Sequence, residues 1–209
     1  MKQAVGERMY SRLHDKPLGD KAIYSLRFLR IVVVGAGPSG LLLAYKLQRS
    51  FQHFDLDIYD SNAEVSGTWY VNRYPGCASD LPSPNYTYTF EPKYDCPSSY
   101  ASGSEIKEYF GNFSRKHRLS RYTRLQHQVV GARWDNDPGV WVVEVEDLRH
   151  KETYSKECDI FVNAGGYLNI PTIPSLPGMD SYKGALIHSA NWTDRVEIEG
   201  KRVALLGNG

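Results

Sequence analysis

The feature that most constrains this chain is the stretch 31–40, Ile-Val-Val-Val-Gly-Ala-Gly-Pro-Ser-Gly. Four branched apolar residues suit a strand buried on both faces, and they run directly into Gly35, Gly37 and Gly40. A leucine-rich stretch with helical spacing comes next, from Leu41. Strand, tight turn and helix in this order give the context in which a Gly-x-Gly-x-x-Gly motif binds a dinucleotide. Gly35 permits the turn, Gly37 lets a pyrophosphate approach the backbone, and Gly40 lets the helix lie against the strand. Unbonded amides and the dipole at the helix start favour a phosphate there.

Glycine loops also join strands to helices for steric reasons alone, so the motif takes its meaning from the residues downstream of it. A second strand, spanning 55–59, ends at Asp60, 25 residues beyond Gly35. That is the usual spacing to the acidic residue that accepts a hydrogen bond from a ribose hydroxyl.

Composition narrows the field further. Lys and Arg number 25 against 24 Asp and Glu, a formal net charge of +1, which argues against a general nucleic-acid binder or a polybasic membrane anchor. Cys77, Cys96 and Cys158 form no Cys-x-x-Cys pair and are odd in number, so neither a zinc site nor a disulfide framework is indicated. Residues 1–27 read as an extension ahead of the fold, with a short helix near Tyr10 and a turn around Pro17, and lack the continuous apolar core of a signal peptide. With no stretch long enough to span a bilayer, these features lead us to expect a cytoplasmic protein.

Along the chain, strand one is expected over 28–34, a helix over 39–49 and strand two over 55–59. Residues 61–101 lack periodicity but carry Trp69, Tyr70, Tyr74, Tyr86, Tyr88 and Phe90, which makes an ordered loop more reasonable than a disordered insert. Ser102 and Glu105 form a capping-box pattern opening a helix whose apolar stripe is Ile106, Tyr109, Phe110 and Phe113. Arg115 and His117 near its end suit the dipole. A β-hairpin is expected over 128–146, turning at Asp135-Asn136-Asp137-Pro138-Gly139. Residues 159–166 read as a buried strand returning to the nucleotide sheet, 171–178 as a proline-rich connector, and 201–206 as another strand running into Gly207-Asn208-Gly209.

The order of these motifs, from about Arg30 to Gly209, resembles the class B flavoprotein monooxygenases, and most closely the Baeyer-Villiger and fungal FAD-binding monooxygenases. Gly35-Ala36-Gly37-Pro38-Ser39-Gly40 is similar to the family's FAD pyrophosphate loop, and Asp60 stands where the family has a ribose-binding Glu. Val65-Ser66-Gly67-Thr68-Trp69 resembles the family's Val-Gly-Gly-Thr-Trp, with Ser66 replacing a glycine. Residues 74–80, Tyr-Pro-Gly-Cys-Ala-Ser-Asp, resemble a loop that ends in an Asp beside the isoalloxazine, which marks Asp80 as the catalytic candidate. Tyr86 matches a flavin-contacting tyrosine, and Val129 the position whose backbone meets adenine. Tyr182, Gly184, His188 and Trp192 resemble the Baeyer-Villiger signature that links the FAD and NADP domains, with Tyr in place of Phe.

The resemblance implies an α/β fold of the Rossmann-like, glutathione-reductase type, a parallel sheet carrying a small antiparallel β-hairpin layer. It divides the chain into an extension (1–27), an FAD-binding domain (28–170), a signature-bearing linker (171–200) and the opening strand of an NADP-binding domain (201–209). It also implies the chemistry, in which NADPH reduces FAD and a flavin C4a-peroxide oxygenates a small organic substrate. Asp80 would help hold a catalytic Arg that the family places downstream, together with the rest of the NADP fold, so this chain is expected to be incomplete alone. A non-oxygenating flavoprotein, such as an isomerase or cyclase, and a non-catalytic interaction protein remain open as alternatives. A homodimer or a partner chain is expected to cover the incomplete sheet.

Overall fold

The computed structural model describes residues 26–168 and 170–207. In chain order the elements are β1 (Leu29–Val34), α1 (Pro38–Ser50), β2 (Phe54–Asp60), α2 (Thr68–Val71), α3 (Gly103–Lys116), β3 (Thr123–Leu125), β4 (His127–Asp135), β5 (Val140–Asp147), β6 (Glu152–Cys158) and β7 (Ile160–Asn163). A parallel sheet takes the order β3-β2-β1-β7, and β4-β5-β6 form a separate antiparallel sheet.

β1 organises both layers through the two-residue alternation of a strand. Ile31 and Val33 face the helices, where they join Leu41 and Ala44 of α1 and Ile106, Phe110 and Phe113 of α3 in one buried cluster. Val32 faces the other way and packs with Tyr59, Val143, Val145 and Cys158 against the antiparallel sheet. Both Val32 and Val33 are fully buried, which explains the unbroken apolar run in the sequence. β2 divides in the same way, with Leu56 and Ile58 toward the helices. Asp57 lies on the other face, where its buried carboxylate meets Lys156 of β6 at 2.9 Å and Arg124 of β3 at 3.0 Å.

This is an α/β Rossmann-like fold with an added antiparallel layer, as the sequence implies, and four details differ. The expected hairpin is a three-stranded sheet, because Glu152–Cys158 pairs with β5 along its length. β3 extends the parallel sheet by three residues beside β2. β7 does return to β1, but at the sheet edge, leaving Ile160 40% exposed instead of buried. The strand expected over 201–206 forms no ladder among the described residues, and Val203, Leu205 and Leu206 are exposed there. A strand needs a neighbour to bond its backbone, and none is present among those residues. The helix near Tyr10, the turn at Pro17, and Asn208 and Gly209 lie outside the described residues.

α1 starts at Pro38, which has no N–H to leave unbonded and whose fixed φ suits a first helical position. α3 carries the full reciprocal cap. The Glu105 N–H donates to the Ser102 hydroxyl, and the Ser102 N–H donates to the Glu105 carboxylate at 2.9 Å.

Candidate functional site: a glycine-lined cradle at the start of α1

The C-terminal end of β1 turns at Gly35, whose φ of +97° lies in the left-handed region that favours glycine. A side chain there would also press on the Ala164 carbonyl, since a Cβ would sit 2.6 Å from its oxygen. Gly40 is more tightly constrained, because its Cβ would lie 2.0 Å from the Gly35 carbonyl oxygen. Gly37 backs onto Gly67, where a Cβ on Gly67 would approach the Gly37 Cα to 2.9 Å. The Ser66 N–H donates to the Ala36 carbonyl at 3.1 Å and fastens the two glycine segments together. The glycines of 35–40 and the segment 65–69 are thus parts of one cradle, although some 30 residues separate them in the chain.

The donors in this cradle have a clear asymmetry. The Gly35 N–H goes to the Tyr59 carbonyl and the Ala36 N–H to the Asp60 carboxylate at 2.7 Å. The amides of Gly37, Ser39 and Gly40 donate to no group among the described residues, although Gly37 and Gly40 are themselves buried. No acidic side chain occupies the first turn of α1, and no side chain caps Gly37. Buried amides without an acceptor call for one from outside the chain, and the helix N-terminus favours an anion. These residues fit a dinucleotide pyrophosphate.

Asp60 ends β2 beside the loop, 7% exposed. One carboxylate oxygen accepts from Ala36 N–H and the other from Asn62 N–H at 2.8 Å. Each oxygen keeps a second lone pair, so the group both fixes the loop and can accept from a ribose hydroxyl.

Thr68 and Trp69 open α2 directly after Gly67. The Thr68 hydroxyl accepts from the Asn72 side chain at 2.8 Å, and the Trp69 indole donates to the Tyr86 hydroxyl at 3.0 Å. Asp80 is exposed and its carboxylate makes no hydrogen bond or ion pair among the described residues. Val129 sits at the start of a β-bulge, where the pairing of β4 with β5 shifts register between Val129 and Gly131. The extra residue is Val130, which leaves the ladder, while Val129 keeps Val145 as its register partner.

The signature residues lie apart from this assembly. The exposed Tyr182 ring lies against Gly184, and His188 accepts the Ala190 N–H at 3.1 Å through its Nδ1, capping a short turn of 3-10 helix before the half-buried Trp192. Among the described residues no hydrogen bond joins these four to the glycine cradle. A separate cavity of about 530 Å3 lies on the α3 side of Ser66, lined by Glu64, Lys107, Arg115 and Thr123 among others and by none of the glycines of 35–40.

Two contributors could not be found from sequence spacing. Tyr88 donates its hydroxyl to the Pro38 carbonyl at 2.5 Å, in the peptide next to the free amides. Ser66, in the place of a glycine, adopts a φ of +96° and donates its hydroxyl to the Lys107 carbonyl at 3.0 Å. The positive φ is the strain that a glycine would avoid, and the hydroxyl bond to α3 offsets part of it.

Residues 33–103 match the NAD(P)-binding Rossmann-like domain family. The FAD-binding monooxygenase tazF of Aspergillus terreus is 40% identical over 183 residues, covering 87% of this chain and 32% of that protein. A Baeyer-Villiger monooxygenase of Streptomyces coelicolor is 33% identical over 181 residues, covering 87% of this chain and 34% of its own length. The open crystal structure of cyclohexanone monooxygenase superposes with a TM-score of 0.75 at 31% identity, over 88% of this chain and 36% of that one. The chain therefore spans about a third of these relatives. In sequence and in fold, it is a Rossmann-like segment related to the FAD-binding and Baeyer-Villiger monooxygenases.

Proposed function

We propose that the chain binds FAD and serves a flavin-dependent monooxygenase acting on a small organic substrate. The observation that carries this reading is the set of acceptor-free amides at Gly37, Ser39 and Gly40, in a cradle where glycines leave room for a pyrophosphate. Asp60 takes the ribose and the bulge at Val129 offers backbone to the adenine. Trp69 and Tyr86 form an aromatic wall, and the unpaired carboxylate of Asp80 is free to hold a cation supplied from elsewhere in a longer protein. When bound, FAD supplies the redox and oxygen-transfer chemistry, with NADPH as the reductant. The chain's own residues bind, orient and shield.

The signature around His188 acts as a linker responsive to cofactor and not as a proton donor. The protein works in the cytoplasm, and a second copy or a further chain covers the exposed apolar side chains between Tyr167 and Leu206. Among the described residues no helix is long and apolar enough to cross a membrane. Light scattering that finds only monomer would remove the self-association part of this reading.

Gly37→Ala gives the discriminating experiment. Gly37 has φ −76°, which alanine adopts freely, and its Cβ would meet only Gly67, at an ordinary 3.5 Å. The variant is expected to melt like the parent while FAD affinity, read by quenching of flavin fluorescence, falls about tenfold or more as the methyl occupies the phosphate approach. Equal FAD binding by the two proteins, or none by the parent, would overturn the assignment.

A further inference from the structure

Besides the Ser66 N–H bond to the Ala36 carbonyl, one polar contact among the described residues, this one from a side chain, ties the peptides of the free amides to the long loop. The Tyr88 hydroxyl donates to the Pro38 carbonyl at 2.5 Å. That carbonyl and the N–H of Ser39 belong to the same planar peptide unit and point in opposite directions. Fixing the carbonyl toward Tyr88 therefore aims the Ser39 N–H the other way, and a hydrogen bond to the oxygen polarises the unit and strengthens the N–H as a donor.

Tyr88 is well placed to impose this orientation. Its own N–H donates to the Tyr109 hydroxyl at 2.9 Å, and Tyr109 in turn donates to the Glu91 carbonyl at 2.7 Å. The Glu91 N–H closes the turn on the Tyr88 carbonyl at 2.9 Å. The ring rests on Phe113 at 4.5 Å and stacks on Phe90 at 5.4 Å. Desolvation by burial pushes its pKa far above that of a free phenol, so the group stays a neutral donor. Two residues earlier, Tyr86 holds Trp69 and with it the segment carrying Gly67. The strap 86–88 thus holds both walls of the cradle.

We propose that Tyr88 is a positioning residue for the dinucleotide pyrophosphate, holding the Pro38–Ser39 peptide so that the Ser39 amide points into the cradle. This rests on the FAD reading above and adds to it a residue that touches no ligand. The test compares Tyr88→Phe with Tyr45→Phe, which removes another buried phenol from the neighbourhood of α1, one bonded to Arg49 at 2.6 Å and not to the cradle. Tyr88→Phe is expected to weaken FAD binding about tenfold, the loss of one hydrogen bond serving a charged ligand. In the FAD-free chain it should also shift the Ser39 amide resonance and speed its hydrogen exchange. Tyr45→Phe should lower the melting temperature comparably while leaving FAD affinity and the Ser39 amide unchanged.

Parent-like FAD affinity in Tyr88→Phe, or equal losses in the two variants, would overturn the proposal. If the parent chain takes up no FAD, the cofactor reading falls by itself. The Ser39 amide then decides the positioning role, and an unchanged resonance and exchange rate in Tyr88→Phe would sink it.

Discussion

Residues 61–101 and 164–207 both contain long aperiodic stretches punctuated by proline, yet the structure treats them differently. In the first, backbone groups reach distant partners. Ser79 N–H bonds the Ala101 carbonyl, Ser83 N–H bonds that of Ser99, and Gly103 N–H bonds that of Cys77. Its aromatic residues dock on the helices, with Phe90 stacked on Tyr45 at 4.8 Å and Tyr88 against Phe113. In the second, once the Ala164 N–H has bonded the Val34 carbonyl, the backbone bonds are local, as between Met179 and Leu176 or Asn191 and His188, and Tyr167, Ile170 and Leu205 are 93%, 88% and 89% exposed. Fixing a loop costs backbone entropy in either case. What offsets it in the first region is rings and polar atoms delivered onto regular elements.

The largest effect expected from this contrast is at Phe113, 1% exposed and in ring contact with Tyr45, Tyr88, Phe90 and His117. Phe113→Ala removes the floor beneath the strap and is expected to cost ~3–5 kcal/mol in chemical denaturation. A cost near that of an exposed site would mean that the loop is held by its backbone bonds alone. Gly67→Ala comes next. Its φ of +55° is uncommon for alanine and its Cβ would crowd the Gly37 backbone, so a loss of about 1–3 kcal/mol is expected. Because that clash opens the cradle, the same variant should also lose FAD affinity.

Asp159 marks the boundary between the anchored and exposed parts. It accepts the Arg30 N–H at 2.8 Å and pairs with the Arg30 guanidinium at 3.2 Å, tying the start of β7 to β1. The Arg30 side-chain hydrogen bond, aided by its backbone N–H, holds the Asp159 carboxyl below its ordinary 3.8. A lowered folded-state pKa gives stability that is fully present above the ordinary value and is lost as pH falls through the folded one. The melting temperature should therefore decline on acidification below about pH 4, and Asp159→Asn should show a shallower decline from a lower start. An unchanged acid slope in the variant would show that β7 is held without this pair.

Much of the fold is legible in the chain because β1, α1 and α3 carry their periodicity locally. A strand buried on both faces is apolar throughout, and the cap of α3 lies within four consecutive residues, Ser102 to Glu105. β6 carries no such signal because six of its seven residues, Glu-Thr-Tyr-Ser-Lys-Glu, are polar or face solvent, with only Cys158 buried. β3 is three residues long, too short for any pattern. In the cradle, spacing points to Gly35, Gly37, Gly40 and Asp60. That the Asp60 carboxylate fixes the loop through the Ala36 amide is a matter of register, since Val34 lies beside Tyr59 in the sheet. Tyr88 leaves no signal, because its contact with Pro38 spans 50 residues and depends on how the strap crosses the helices.

The smallest effect completes the contrast. Leu205 is an apolar residue in a Lys-Arg-Val-Ala-Leu-Leu run that reads as a core strand, and in a paired sheet Leu→Ser would cost several kcal/mol. Here Leu205 is 89% exposed with no ladder around it, so Leu205→Ser should change the stability of the isolated chain by no more than about 0.5 kcal/mol. A large loss would show that the segment is buried in solution, against a second copy or another chain. Repeating the denaturation at several protein concentrations separates these cases, because a midpoint that rises with concentration requires association and one that stays fixed excludes it.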